Sequence, residues 1–115
     1  MEVFPEYEAG LDGIEGFSHI YLLYCFFKTG DASSLQVTPF LDHRKRGVFS
    51  TRYPLRPNPI GLSVVRLVKR EGSLLHFIGA DILDGTLLLD IKPYLPDFDI
   101  FPAERVGWFK DRSKP

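Results

Sequence analysis

One hundred and fifteen residues, 44% apolar and 25% charged, suit one hydrophobic core and exclude a disordered chain. The formal net charge of −1 excludes a globally basic field, and the longest apolar run, residues 20–27, falls far short of the roughly 18–20 residues a membrane helix needs. A single cysteine excludes a disulfide within the chain, and no Cys/His spacing matches a zinc motif, so neither a membrane nor a metal is expected.

The opening MEVFPEYEAG lacks the basic region and apolar stretch of a signal peptide, which fits a cytoplasmic setting. Residues 12–17 suit one short helical turn. Residues 18–28, SHIYLLYCFFK, are apolar on both alternating sets and predict a strand covered on both faces, with Cys25 as a buried structural thiol. TGDASS at 29–34 is a turn, and residues 35–40 alternate as a short strand would.

The stretch RGVFSTRYPLRPNPIG, residues 46–61, follows. Pro54, Pro57 and Pro59 remove three backbone donors and fix three φ angles, which excludes a helix or a central strand. Arg52 and Arg56 therefore ride on a stiff loop, held ready for an anion or a planar base; the bland alternative is a connector with solvated arginines.

Residues 60–70, IGLSVVRLVKR, are a β-branched strand, with Leu62, Val64, Arg66 and Val68 on one side and Ser63, Val65, Leu67 and Lys69 on the other. Glu71-Gly72-Ser73 closes a hairpin into a strand at 74–82. Asp84-Gly85-Thr86 is a turn leading to a strand at 87–92, which Pro93 and Pro96 end. Residues 103–110 suit a last short helical turn. The fold predicted is mainly all-β, a small antiparallel β-barrel with short helical turns, in a single domain spanning residues 1–115.

Charge is segregated. Residues 1–27 carry five acids and no base, and residues 43–70 carry eight bases and no acid. That block either binds phosphate locally or pairs with the acidic segments. No GxSxG, Walker A, GxGxxG or HExxH motif is present.

Three motifs together go further. EGFSHIYLLYCFFKTG, GVFSTRYPLRPNPIGLS and LDGTLLLDIKPYLPDFD, in this order, strongly resemble the TsaA-like (TrmO) family. The resemblance implies a small β-barrel that forms homodimers and uses S-adenosylmethionine (SAM) to methylate N6 of an adenosine beside the tRNA anticodon, one already carrying a threonylcarbamoyl group. It implies a cofactor site drawn from Phe27, Lys28, Arg52, Leu62, Asp84, Gly85, Thr86 and Leu87. Arg44, Lys45, Arg46 and Arg56 would then form the RNA-phosphate footprint, with Tyr53 placed to stack on a splayed base. The catalytic group stays unknown; His43 and the aspartates of the 84–99 segment are the candidates for a proton acceptor. Where the family commonly has histidine and proline, this chain has Phe27 and Leu87. Family members also carry an earlier strand with a Pro-Arg-Gln segment, whose lack here is expected to leave an unpaired barrel edge. The alternative reading is a non-catalytic SAM- or RNA-binding β-barrel module.

Overall fold

The computed structural model describes residues 1–25, 35–79 and 86–112. Six strands form: β1 His19–Cys25, β2 Gln36–Val37, β3 Arg46–Gly47, β4 Ile60–Glu71, β5 Leu74–Ile78 and β6 Leu87–Pro93. Four of them make one antiparallel sheet in the order β5-β4-β1-β6, while β2 and β3 pair by themselves. A single helical turn, α1 Pro96–Asp99, follows β6, and short 3-10 turns cover Pro5–Leu11, Ile14–Gly16, Val48–Ser50 and Gly107–Asp111. The mainly antiparallel β class is as the sequence predicts. The sheet is open rather than closed: among the described residues β5 and β6 are its outer strands.

The pleat sorts the side chains. Ile20, Leu22 and Tyr24 of β1 point one way, beside Val65 and Leu67 of β4 and Leu75 of β5. Val3 and Leu11 close over them, and Leu88 and Ile91 of β6 complete the packing. Ile20, Leu22, Val65 and Leu75 are fully buried. Burying each such side chain is worth about 1.5–3 kcal/mol, so this single face supplies most of the hydrophobic stabilisation. One polar pair sits within it, Tyr24 Oη against Ser63 Oγ at 2.7 Å.

The expectation of a strand covered on both faces is corrected. The even residues of β1 are buried, but His19, Tyr21, Leu23 and Cys25 are only half-buried. Cys25 accordingly stands on the outer face rather than in the core.

The alternation expected for β4 holds as far as Leu67. Leu67 pairs with Phe77 and Lys69 with His76, so Val68 is an extra residue and the pleat shifts by one. Arg70, not Lys69, then turns inward: its Nε donates to the Gly72 carbonyl at 2.7 Å and its Nη1 to the Leu11 carbonyl at 3.3 Å, with Glu15 Oε1 at 3.5 Å. Here the basic block does pair with the acidic N-terminal segment. The β4–β5 hairpin closes where expected, with Gly72 at φ +60°, a conformation glycine adopts without penalty.

The barrel edge expected to lie bare is partly covered by the chain itself. Leu75 N donates to the Met1 carbonyl and Val3 N to the Ser73 carbonyl, both at 2.8 Å, and the Met1 ammonium donates to the Leu75 carbonyl at 3.0 Å. Residues 1–3 thus lie along β5. At the opposite edge β6 ends on Pro93, which an outer strand tolerates because one side of its ladder is free.

Candidate cofactor face and aromatic cleft

The outer face of the sheet carries the first group of candidate residues. Leu23 stands between Leu62 of β4 and Asp90 of β6, and Cys25 between Ile60 and Leu87. Leu62 and Leu87 therefore share one face and flank β1, two strand spacings apart and offset by two residues along the strand, or about 12 Å. Leu62 is 59% exposed and Leu87 39%, so plain core is not their role here. Thr86, half-buried, lies immediately before β6. Phe27, Lys28, Asp84 and Gly85 lie outside the described residues.

The other end of this face is closed by the segment after β6. Tyr94 N donates to the His19 carbonyl at 3.1 Å, and the Tyr94 ring meets the Tyr21 ring edge-on at 5.6 Å. Asp99 Oδ2 accepts from Leu95 N at 2.9 Å. Burial, then the adjacent Asp99 carboxylate and the Tyr94 phenol, push the Tyr21 phenol above its ordinary pKa. The face thus has a closed end at Tyr21 and an open apolar end at Leu62 and Leu87.

The proline-arginine loop builds a second feature. Val48, almost fully buried, and the buried Thr51 anchor it. Thr51 Oγ1 donates to the Val48 carbonyl at 2.8 Å and accepts from Tyr53 N at 3.1 Å. Arg56 Nη1 donates to the Thr51 and Tyr53 carbonyls at 2.9 and 3.2 Å. Arg56 therefore braces the loop's own backbone through Nη1. Arg46 is committed too: its Nε meets Asp42 Oδ2 at 2.6 Å. The hydrogen bond from Arg46, against an opposing effect of burial and helped by backbone N–H donors, holds the Asp42 carboxyl below the usual carboxylate range. Arg44 and Lys45 are exposed.

Arg52 and Tyr53 line a cleft of about 810 Å³ together with Phe40, Phe49, Trp108 and Phe109. Arg52 is the charged residue among its described lining. Trp108 Nε1 donates to the Ser50 carbonyl at 2.6 Å and so ties the C-terminal segment to the loop. Trp108 and Phe109 meet edge-to-face at 5.7 Å, and the Arg112 guanidinium lies 4.1 Å from the Phe109 centroid. Leu62, Thr86 and Leu87 are not in this lining. The described residues thus divide the expected site in two: Leu62, Thr86 and Leu87 on the sheet face, Arg52 and Tyr53 in the cleft. Phe40, Phe49 and Trp108 are not singled out by the sequence motifs; the one available signal is the chain's single tryptophan beside Phe109.

Residues 1–100 match the family model described as the tRNA-methyltransferase O N-terminal domain. The chain belongs to this family. It is 54% identical over 110 residues to a "Probable S-adenosyl-L-methionine-binding protein" of Pyrococcus abyssi, covering 96% of this chain and 59% of that protein. It is 46% identical over 99 residues to the mouse tRNA (adenine(37)-N6)-methyltransferase, covering 84% of this chain and 23% of that one. The crystal structure of TrmO from Pseudomonas aeruginosa superposes with a TM-score of 0.73 at 40% identity, over 92% of this chain and 45% of that chain. The TrmO N-terminal fold is therefore what the open sheet and its loop represent, and the chain spans about half the length of the solved TrmO chain. Among the described residues of this TrmO-family chain, no helix is long and apolar enough to cross a membrane.

Proposed function

We propose that this chain binds SAM at the open end of the sheet face and methylates N6 of the threonylcarbamoyl-bearing adenosine beside the tRNA anticodon, acting as a homodimer. The observation that carries the reading is the register that brings Leu62 and Leu87, far apart in sequence, onto one solvent-open apolar face. The similarity to a mammalian tRNA (adenine(37)-N6)-methyltransferase supports it, as do the SAM-binding names of the archaeal relatives.

The residues present fit the cofactor's chemistry. SAM has an apolar-faced adenine, a ribose, a carboxylate and an ammonium group, and when bound it supplies an activated methyl. Leu62 and Leu87 offer apolar walls that exclude water from an adenine face. Arg52 stands in the cleft, apart from these residues, where it matches an RNA phosphate. Thr86 adds a hydroxyl, and the resemblance adds Phe27, Lys28, Asp84 and Gly85. Holding acceptor and methyl in line is the main catalytic task, and positioning contributes about 7–11 kcal/mol in the best oriented systems.

The acceptor N–H must also be lost. Among the aspartates of the 84–99 segment, Asp90 stands on this face, opposite Leu23 and one strand from Leu62. Its Oδ1 accepts from Ile91 N at 2.8 Å, and its Oδ2 lies 3.3 Å from Lys92 Nζ. Asp90 is the carboxylate we assign as proton acceptor.

The test uses calorimetry with SAM and transfer of labelled methyl to tRNA with and without the threonylcarbamoyl group. Saturable SAM binding with transfer to the modified tRNA is expected. SAM binding without transfer to either tRNA would leave the binding-module reading, and no SAM binding would end the methyltransferase reading and leave only an RNA-binding module.

A further inference from the structure

We infer that the cleft between the 39–54 segment and the C-terminal turn is a stacking site for an unpaired RNA base, separate from the cofactor face. This rests on the proposed tRNA substrate and adds where the RNA is gripped. A volume of about 810 Å³ lies in the range of small-molecule sites, and five of its twelve lining residues are aromatic. Phe40 is 83% exposed and Phe49 74%, so neither ring serves the core. Rings left in water beside a concavity mark a binding surface.

The local backbone holds them there. Leu41, next to Phe40, has φ 71°, a left-handed conformation that strains a non-glycine residue. The turn is closed by Asp42 N donating to the Pro39 carbonyl at 3.2 Å and locked by the Asp42–Arg46 pair. The opposite wall is pinned by the Trp108–Ser50 hydrogen bond. Strain kept within a fixed frame is a feature of binding sites.

Charge selects the occupant. Arg52 lies in the lining, and the exposed Arg44 and Lys45 follow directly on the turn that carries Phe40 and Leu41. Arg44, Lys45 and Arg52 make no ion pair among the described residues. Aromatic faces beside unneutralised cations suit stacked bases on a phosphate chain, whereas an apolar peptide has no use for the cations.

Trp108 is the chain's single tryptophan, so its emission reports on the cleft. The probes are a single-stranded oligoribonucleotide of about ten nucleotides, within the usual span of such sites, and the same phosphate chain made abasic. Trp108 emission should change on titration with the base-bearing RNA and not with the abasic one. Phe49→Ala and Phe40→Ala, both at exposed positions, should each weaken the base-bearing RNA about tenfold and leave the abasic one unaffected. SAM affinity of each variant is measured separately. Retained SAM affinity with lost stacking supports a separate base site, whereas SAM affinity lost alongside would merge the cleft with the cofactor site and overturn the inference. Equal affinity for base-bearing and abasic RNA, or RNA binding that leaves Trp108 emission unchanged, would also overturn it. None of these readouts depends on methyl transfer, so failure of the enzymatic reading is recognised separately.

Discussion

At the scale of single residues, the basic cluster shows how differently identical side chains are used. Arg46 is neutralised by Asp42, Arg56 braces two carbonyls of its own loop through Nη1, and Arg70 reaches back to Leu11 and Glu15. Among the described residues, Arg44, Lys45, Arg52 and Arg66 of this cluster make no ion pair and remain for an external anion. A sequence reports that a guanidinium is present, but not whether a carbonyl stands within 3 Å of it. Asp90 is the corresponding case among the acids: its position opposite Leu23 follows from strand register. Asp90→Asn should lower kcat for methyl transfer about 100-fold while SAM affinity stays, because general bases contribute about 10²–10⁴ in rate and the amide can still accept from Ile91 N. Unchanged kcat would move the proton acceptor elsewhere.

At the scale of elements, the turn at 39–46 depends on one ion pair. Asp42 has its folded pKa depressed, chiefly by the Arg46 hydrogen bond. Its stabilising contribution is therefore present above the unfolded carboxylate pKa of about 3.9 and is lost as pH falls through the lower folded value. Asp42→Asn should reduce the thermal midpoint at pH 7, and the difference from the parent should shrink as pH falls below the unfolded carboxylate value. A difference that persists unchanged in acid would show the pair to be electrostatically silent.

The strands themselves were legible. β1, β4 and β6 follow apolar and β-branched runs bounded by glycine and proline, and Glu71-Gly72-Ser73 marks its hairpin. The bulge at Val68 was not, because a one-residue slip depends on the partner strand; periodicity therefore put Lys69 where Arg70 turns in. The turns at Pro5–Leu11 and Pro96–Asp99 also escaped, being too short for a helical period to register.

At the scale of the whole molecule, the uncovered outer face is the dominant feature. Beyond the Leu62 and Leu87 end, Val64 is 40% exposed and Ile78 60%, and among the described residues β6 is an outer strand with one side of its ladder free. A homodimer would cover this surface at the cost only of ordering two copies. Sedimentation at micromolar concentration should give twice the mass of one chain, and Val64→Lys should shift it to one. A parent chain that sediments as a monomer would remove the homodimer from the proposal.

The sequence by itself determined the antiparallel class, the stiff arginine loop and the family, because these rest on local dihedral limits, on alternation and on motifs read in order. Tertiary structure alone decided which face of β1 stays open, which arginines are spent, and that Trp108 closes a cleft with Phe40 and Phe49. Those outcomes depend on strand register and on contacts between residues about sixty positions apart, for which no local pattern in the chain carries a signal.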